Sequence, residues 1–509
     1  MKKFLKAAVA IVLIIAIIIG AFFCNYFVKS NRSTESVGKA ETKYTADETG
    51  TFITNIPYDE YIQQCTVEDT AVTPEISADY SGEENSLAVN FAMNSVSESG
   101  GGTVYIPAGE YKVSTIELKS NVTLFVSENA VLVSLDCDEN KNSSSPLSGA
   151  VVTANDAENI TITGGGTICG SGESYTEEAE SEEPLYALNE FNTYTRVIEA
   201  RKRIRFAKKD TERNSVISLN NCRNASVNNI ILKESASWTF VINGGSGYNI
   251  NNVVIDNNMH VANTDGIDIL NCSDVNISRC FIATGDDAVV LKPTESEISN
   301  VSVTDCELSS FANCFKIGTE TAFDVNNVYV EGCSFFMPDG MTYGYSGIAI
   351  ESADGSNISN VTVDNIDMDG ISSPILIWLG NRLNYDKTEA GSIDNISISN
   401  VNAVNTELPS AITGYKGRSV GSVKLENINV SYRDTGENLS VLKPVPELSA
   451  NGYPEIVRVS HKYFINHNFS GYWDLPCYGV FVRYADVDLD GYSCTPRQCN
   501  TREFAYIKN

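Results

Sequence analysis

Three aspartates stand out by residue type and spacing. Asp265 lies in Asn263-Thr264-Asp265-Gly266-Ile267-Asp268, and the other two form Gly285-Asp286-Asp287. Asp265 precedes Asp287 by 22 residues, about one rung of a stacked-strand repeat. Parallel strands in such a stack lie roughly 4.8 Å apart, so carboxylates one rung apart on one face become neighbours. Three such acids suit glycosidic bond hydrolysis, in which one donates a proton and others activate a water. The competing reading is that Asp residues in Asn- and Gly-rich turns merely cap the backbone. Odd–even counting turns Asp268 away from Asp265, which makes Asp268 structural.

Such a trio needs a scaffold that repeats. From about residue 159 one phrase recurs: Asn or Ser, then apolar–polar–apolar. It reads Asn159-Ile160-Thr161-Ile162, Asn300-Val301-Ser302-Val303 and Asn327-Val328-Tyr329-Val330, among others. Successive starts from Asn224 are 28, 22, 26, 27, 33, 35 and 27 residues apart. Alternation of β-branched residues at this period predicts a solenoid of stacked strands, a parallel β-helix. The local period of two excludes a helical repeat. The Asn residues are expected at turns, each bonding the next rung. Residues 86–97, with Leu87, Phe91 and Val96 apolar, predict a short helix that caps the open end. Residues 171–200 are acidic, lack the repeat and read as a long inserted loop. The segments at 478–482 and 487–489 read as terminal strands.

Composition narrows the partners. A formal charge of −29 argues against nucleic acid. It also disfavours a polyanionic substrate unless Lys or Arg stands locally at the site. Met1-Lys2-Lys3-Phe4-Leu5-Lys6 precedes an apolar run from Ala7 to Phe23. That pattern predicts export, with residues 1–26 a membrane anchor or a cleaved signal peptide. The rest of the chain would be extracellular or at the cell surface, touching the membrane only through that segment, and monomeric. Residues 27–84 read as a linker and lead-in, 85–495 as the β-helix domain and 496–509 as a tail. Of 13 cysteines, Cys280, Cys306 and Cys333 recur at intervals of 26 and 27 residues. That spacing predicts small buried residues stacked in a ladder rather than disulfides.

Several phrases together resemble glycoside hydrolase family 28, the polygalacturonase family, over roughly 85–490. They are Gly100 to Tyr111, Gly164-Gly165-Gly166-Thr167-Ile168, Ser237-Trp238-Thr239-Phe240, Asn263 to Asp268, and Gly285-Asp286-Asp287. The resemblance implies an all-β, single-stranded right-handed parallel β-helix of the pectin-lyase-like kind, with its short N-terminal helical cap. It implies an exported inverting glycoside hydrolase of a plant cell-wall, pectic polysaccharide or oligosaccharide. Asp286 is then the general acid, and Asp265 and Asp287 hold the nucleophilic water. Carboxylate separations in or somewhat below roughly 6.5–9.5 Å are expected, with crowding raising the proton affinity of Asp286. No cofactor or metal is called for.

The chain also departs from that family. Asn313 stands where the family has the His of a Gly-His-Gly phrase, and Ala349-Ile350-Glu351 replaces an Arg-Ile-Lys phrase that reads the substrate carboxylate. Lys292, Lys316 and Arg382 are candidate substitutes, with Asn263 as a further substrate contact. An exposed Glu351 would repel a uronate and bond neutral hydroxyls, or else pair with Lys316. Weak activity on polygalacturonate is therefore expected, with Ala349→Arg plus Glu351→Lys raising it. Two other readings stand beside this one: a non-catalytic β-helix adhesin or carbohydrate-binding scaffold, and a β-helix lyase or epimerase. A lyase would need a strong base and usually a Ca²⁺ cluster, for which the sequence offers no further ligand set beyond Asp286–Asp287.

Overall fold

The apolar alternation of each repeat buries one face of a strand. In Val325–Glu331, Val325, Val328 and Val330 are buried while Asn326, Asn327 and Tyr329 are exposed. Val325 and Val328 are three residues apart, yet both face inward. Asn327 resolves this by taking a left-handed conformation, φ 58°. Asn tolerates that region better than most residues. The first residue of other copies does the same, at Asn159, Asn224, Asn252, Asn300, Asn360 and Asn395.

The computed structural model describes residues 44–47, 50–52, 56, 58–138, 149–178, 205–208, 211–339, 341, 344–381, 391–406, 409–415, 417–432, 445–446, 472–473, 479–495 and 505–508. Among these the fold is all-β and mostly parallel, with a 19-stranded and a 12-stranded sheet. Each strand pairs in parallel with its counterpart from the next repeat. Val480–Arg483 and Ala485–Asp488 extend the two sheets in the same sense, so the terminal strands read from the sequence are present.

The site is carried by the 12-stranded sheet. Its central strands are β1 (Ser215–Asn220), β2 (Phe240–Asn243), β3 (Ile267–Leu270), β4 (Val289–Leu291), β5 (Asn313–Ile317), β6 (Ser346–Ser352) and β7 (Ser373–Leu379). Ile217, Phe240, Ile267, Val289, Phe315, Ile348 and Ile375 are register partners in turn. All seven are fully buried and form one inward column of the core. β5, β6 and β7 are buried along both faces.

Helix α1 (Gly82–Glu98) lies at the N-terminal end of the stack. Ser81 caps it: Glu84 N donates to Ser81 Oγ (3.2 Å), and Ser81 N donates to Glu84 Oε2 (2.8 Å). That is a capping box, which satisfies two backbone donors at once. The helix is where the sequence puts it, but its inner face is Val89, Ala92, Met93 and Val96. Leu87 and Phe91, expected to pack inward, are 70% and 74% exposed. Val96 alone of the three expected residues is buried. Gly101 follows at φ +112°, and a Cβ there would stand 2.5 Å from Asn121 O.

Part of the predicted linker is packed rather than free. Tyr44, Phe52 and Tyr61 lie edge-on or tilted against Phe281, and Tyr44 also meets Phe336. Tyr58 Oη donates to Asp256 Oδ2 (2.8 Å) and Tyr61 Oη to Glu307 Oε1 (2.6 Å). Cys280, Cys306 and Cys333 are buried free thiols, each donating to a main-chain carbonyl two residues back. That is the expected ladder. Of the acidic insert, Thr176–Glu178 pairs antiparallel with Arg205–Ala207. Residues 179–204, the apolar N-terminal run and Arg382 lie outside the described residues.

Candidate active site

Asp265 sits two residues before the inward Ile267 of β3, and Asp287 two before Val289 of β4. The register that pairs Ile267 with Val289 therefore stacks the two aspartates. Gly266 N donates to Asp287 O (2.9 Å), and Ala288 N to Asn313 O (2.8 Å), which carries the same column on to Asn313 of β5. Thr264 ties the two aspartate loops together. Its Oγ1 donates to Val261 O (2.8 Å) and accepts from Gly285 N (3.1 Å). Gly285 is required by close approach: a Cβ there would lie 2.1 Å from Val261 O and 2.9 Å from Thr264 Oγ1. The Thr of one phrase and the Gly of the other are thus one joint, which sets Asp286 beside Asp265.

Asp265, Asp286 and Asp287 each bring an oxygen within 4.8 Å of the others. Asp265 and Asp287 are buried, and Asp286 is partly exposed. Lys292 Nζ donates to Asp265 Oδ2 (2.8 Å) and to Asp268 Oδ1 (2.6 Å). It also stands 3.9 Å from the centre of the Trp238 ring. Lys316 Nζ pairs with Asp287 Oδ2 (3.1 Å), while Asn313 Nδ2 donates to Asp287 Oδ1 (2.7 Å). Asp286 has no lysine within ion-pair distance among the described residues. Its Oδ1 accepts from Asp287 N (3.0 Å).

The proton affinities follow from this arrangement. Burial pushes Asp286 well above the usual carboxylate range, and the charges of Asp265 and Asp287 push it further, against Lys316 and Lys292. Burial pulls Lys292 down, but Asp265, Asp268 and Asp287 outweigh it and hold it above its ordinary value. Three carboxylate oxygens this close are also able to share a cation. In this cluster two buried ammonium groups supply countercharge.

This acid cluster, on parallel strands stacked one repeat apart, agrees with what the chain matches. The model of Glycosyl hydrolases family 28 matches residues 97–449. The chain belongs to glycoside hydrolase family 28. It is 23% identical over 367 residues to an endo-polygalacturonase of Pectobacterium carotovorum subsp. carotovorum, covering 69% of this chain and 78% of that one. A hyperthermoactive exopolygalacturonase from Thermotoga maritima superposes with a TM-score of 0.58 at 20% identity, covering 74% of this chain and 90% of that structure. A surface protein and adhesin of Streptococcus pneumoniae superposes with a TM-score of 0.52 at 13% identity, covering 86% of this chain and 100% of that structure. Such structural likenesses show the fold. Membership of the family makes this chain a glycoside hydrolase.

The remaining residues singled out in this family 28 chain divide sharply. Lys292 and Lys316 join the cluster, but at 5% and 6% exposure they are engaged with its acids. Asn263 is exposed at the edge of the cluster. Glu351 is fully buried, with its Oε2 accepting from Thr319 Oγ1 (3.1 Å), and Ala349 is fully buried as well. The expectation of an exposed Glu351 facing substrate is therefore corrected: the outer face of β6 is covered. Asp268, read as structural, is fully buried, but it does not turn away from Asp265 as odd–even counting expected. It shares Lys292 with Asp265, because Asp265 precedes the strand, which begins only at Ile267, so strand alternation does not extend back to it. Arg213, which the sequence reading missed, lies just before β1. Its Nη2 donates to Asn263 Oδ1 (3.1 Å), and its charge acts on Asp265 and Asp286. In repeat register it falls two strands before Asn263, a relation that would have exposed it.

Proposed function

We propose that this glycoside hydrolase cleaves a pectic chain with inversion at the anomeric carbon. The reading includes a right-handed β-helical solenoid as scaffold, export through residues 1–26 and action as a monomer outside the cell. The observation that carries it is the asymmetry of the aspartate trio. Asp265 and Asp287 are each held by a lysine, whereas among the described residues no lysine reaches Asp286, which is also the partly exposed member. Asp286 is accordingly the proton donor to the glycosidic oxygen as the C–O bond breaks. Asp265 and Asp287, each engaged by a lysine, take up the proton of a water that attacks the anomeric carbon from the opposite face.

The nearest oxygens, within 4.8 Å, are closer than the roughly 6.5–9.5 Å usual between inverting carboxyl groups. Two lysine-clamped acceptors rather than one suit a water held between them, which favours inversion. A non-catalytic binding scaffold has no use for three converging carboxylates and two buried lysines. Ala349 and Glu351 are fully buried and bring no cation to the acids, and Lys292 and Lys316 are already engaged with them, so the preferred substrate is a pectic glycan other than plain polygalacturonate.

A reducing-end assay on polygalacturonate, rhamnogalacturonan and branched pectins tests the activity, and proton NMR of the first anomer formed tests the stereochemistry. Release from a branched or alternating pectic backbone with inverted configuration is expected. Absence of release from every uronate-containing polymer, or a retained configuration, would overturn the corresponding part of the proposal.

A further inference from the structure

Three described cations surround the acids, and two of them are already engaged. Lys292 lies on Asp265 and Asp268, and Lys316 on Asp287. Arg213 is different. It is half-buried and makes no ion pair among the described residues. Its Nη1 donates to Ala236 O (3.0 Å) and Ala262 O (2.8 Å), and its Nη2 to Asn263 Oδ1 (3.1 Å). All three acceptors are neutral. They fix the guanidinium plane and leave Nε–H and one Nη2–H without a partner among the described residues. Asp265 and Asp286 both act on this charge, yet neither closes to within 4.0 Å of it.

A fixed guanidinium with spare donors, standing off from the proton donor, is shaped for a planar anion. Arginine also keeps its charge across the working range of any glycosidase. This site therefore reads one carboxylate on the β1 side of the acids. On the other side Ala349 of β6, in register with Lys316, is fully buried and brings no second free cation. The asymmetry fits a chain in which a uronate is followed by a neutral sugar better than a run of uronates.

We propose that Arg213 is a specificity-determining residue that binds the carboxylate of a single uronic acid unit next to the scissile bond. The inference rests on the proposed pectic reading and deepens it.

The test compares one uronate-containing oligosaccharide as its free acid and as its methyl ester, which keeps the sugar and removes the charge. For the full-length enzyme kcat/KM should favour the free acid by at least tenfold. Arg213→Gln should bring that ratio to within about threefold of unity, and Arg213→Lys, which keeps charge but not the fork, should fall between. A merely structural Arg213 would lower both substrates together and leave the ratio unchanged, which overturns the proposal. A wild-type enzyme that cleaves both forms equally overturns it as well while leaving the pectic reading intact. Should the Gln variant not fold, the wild-type ratio and the Lys variant decide. If the wild-type enzyme cleaves no uronide at all, the pectic reading fails and this inference with it.

Discussion

On the outer corner of the larger sheet, Asn159 Nδ2 donates to Asn121 Oδ1 (2.9 Å) and Asn224 Nδ2 to Asn159 Oδ1 (2.7 Å). Asn327 does the same to Asn300 (2.7 Å), and Asn427 to Asn400 (2.7 Å). On the smaller sheet Asp265, Asp287 and Asn313 are stacked by the same register. Both are columns of short polar side chains repeated along parallel strands. An amide carries a donor and an acceptor, so each Asn satisfies the next and the column is largely neutral, with a carboxylate such as Asp274, which accepts from Asn300 Nδ2 (2.8 Å), left exposed to solvent. An ionised carboxylate only accepts, so stacked aspartates repel and need cations, or a proton, to stay buried. The asparagine ladder is thus a way of holding strands together. The aspartate column, with Lys292 and Lys316 brought to it and Asp286 left to hold a proton, is a way of storing reactivity.

The comparison breaks most visibly at Asp286. Asp286→Asn should lower turnover by about 10²–10⁴-fold with the fold intact by circular dichroism, and retention of more than a tenth of wild-type activity would refute its role. Its folded-state proton affinity is raised, so its contribution to stability is present below the ordinary carboxylate value and lost as pH rises through the raised one. Asp286→Asn should therefore raise the melting temperature most at neutral pH and least in acid. By the same shift, the alkaline limb of kcat/KM in the wild-type enzyme should lie above the usual carboxylate range.

Removing a cation from the charged column should cost more stability than removing an amide from the neutral one. Lys292→Met leaves Asp265 and Asp268 without their shared partner and should cost about 3–5 kcal/mol in a denaturant titration at neutral pH. The deficit should shrink in acid as those carboxylates become protonated. Ala349→Arg with Glu351→Lys, which the sequence suggested would raise polygalacturonate activity, should instead lower the melting temperature. Both positions are fully buried, and the change puts two cations there. A soluble double variant with enhanced polygalacturonate activity would show that β6 opens. The smallest effect belongs to the ladder. Asn327→Ala loses one exposed hydrogen bond and strains φ 58°, for a cost of about 1–2 kcal/mol, with kcat/KM unchanged.

The sequence by itself determined the parallel strands, the inward columns, the cysteine ladder and the pairing of Asn263-Thr264-Asp265 with Gly285-Asp286-Asp287. Each is a periodic property, and a fixed spacing between like residues converts directly into neighbourhood along a stack. The existence of α1 was equally legible from the apolar residues Leu87, Phe91 and Val96, but its inner face was not. Leu87 and Phe91 are more apolar than Ala92 or Val89, and only the shape of the sheet end decides which side of the helix is covered. The burial of Glu351, the turn of Asp268 onto Lys292 and the approach of Arg213 to Asn263 were likewise settled by tertiary structure. They depend on which long side chain crosses between repeats of unequal length and on what covers the outer face of a strand. Periodicity places backbones in register. Where a lysine or arginine ends several bonds away is fixed by the charges and carbonyls it meets there.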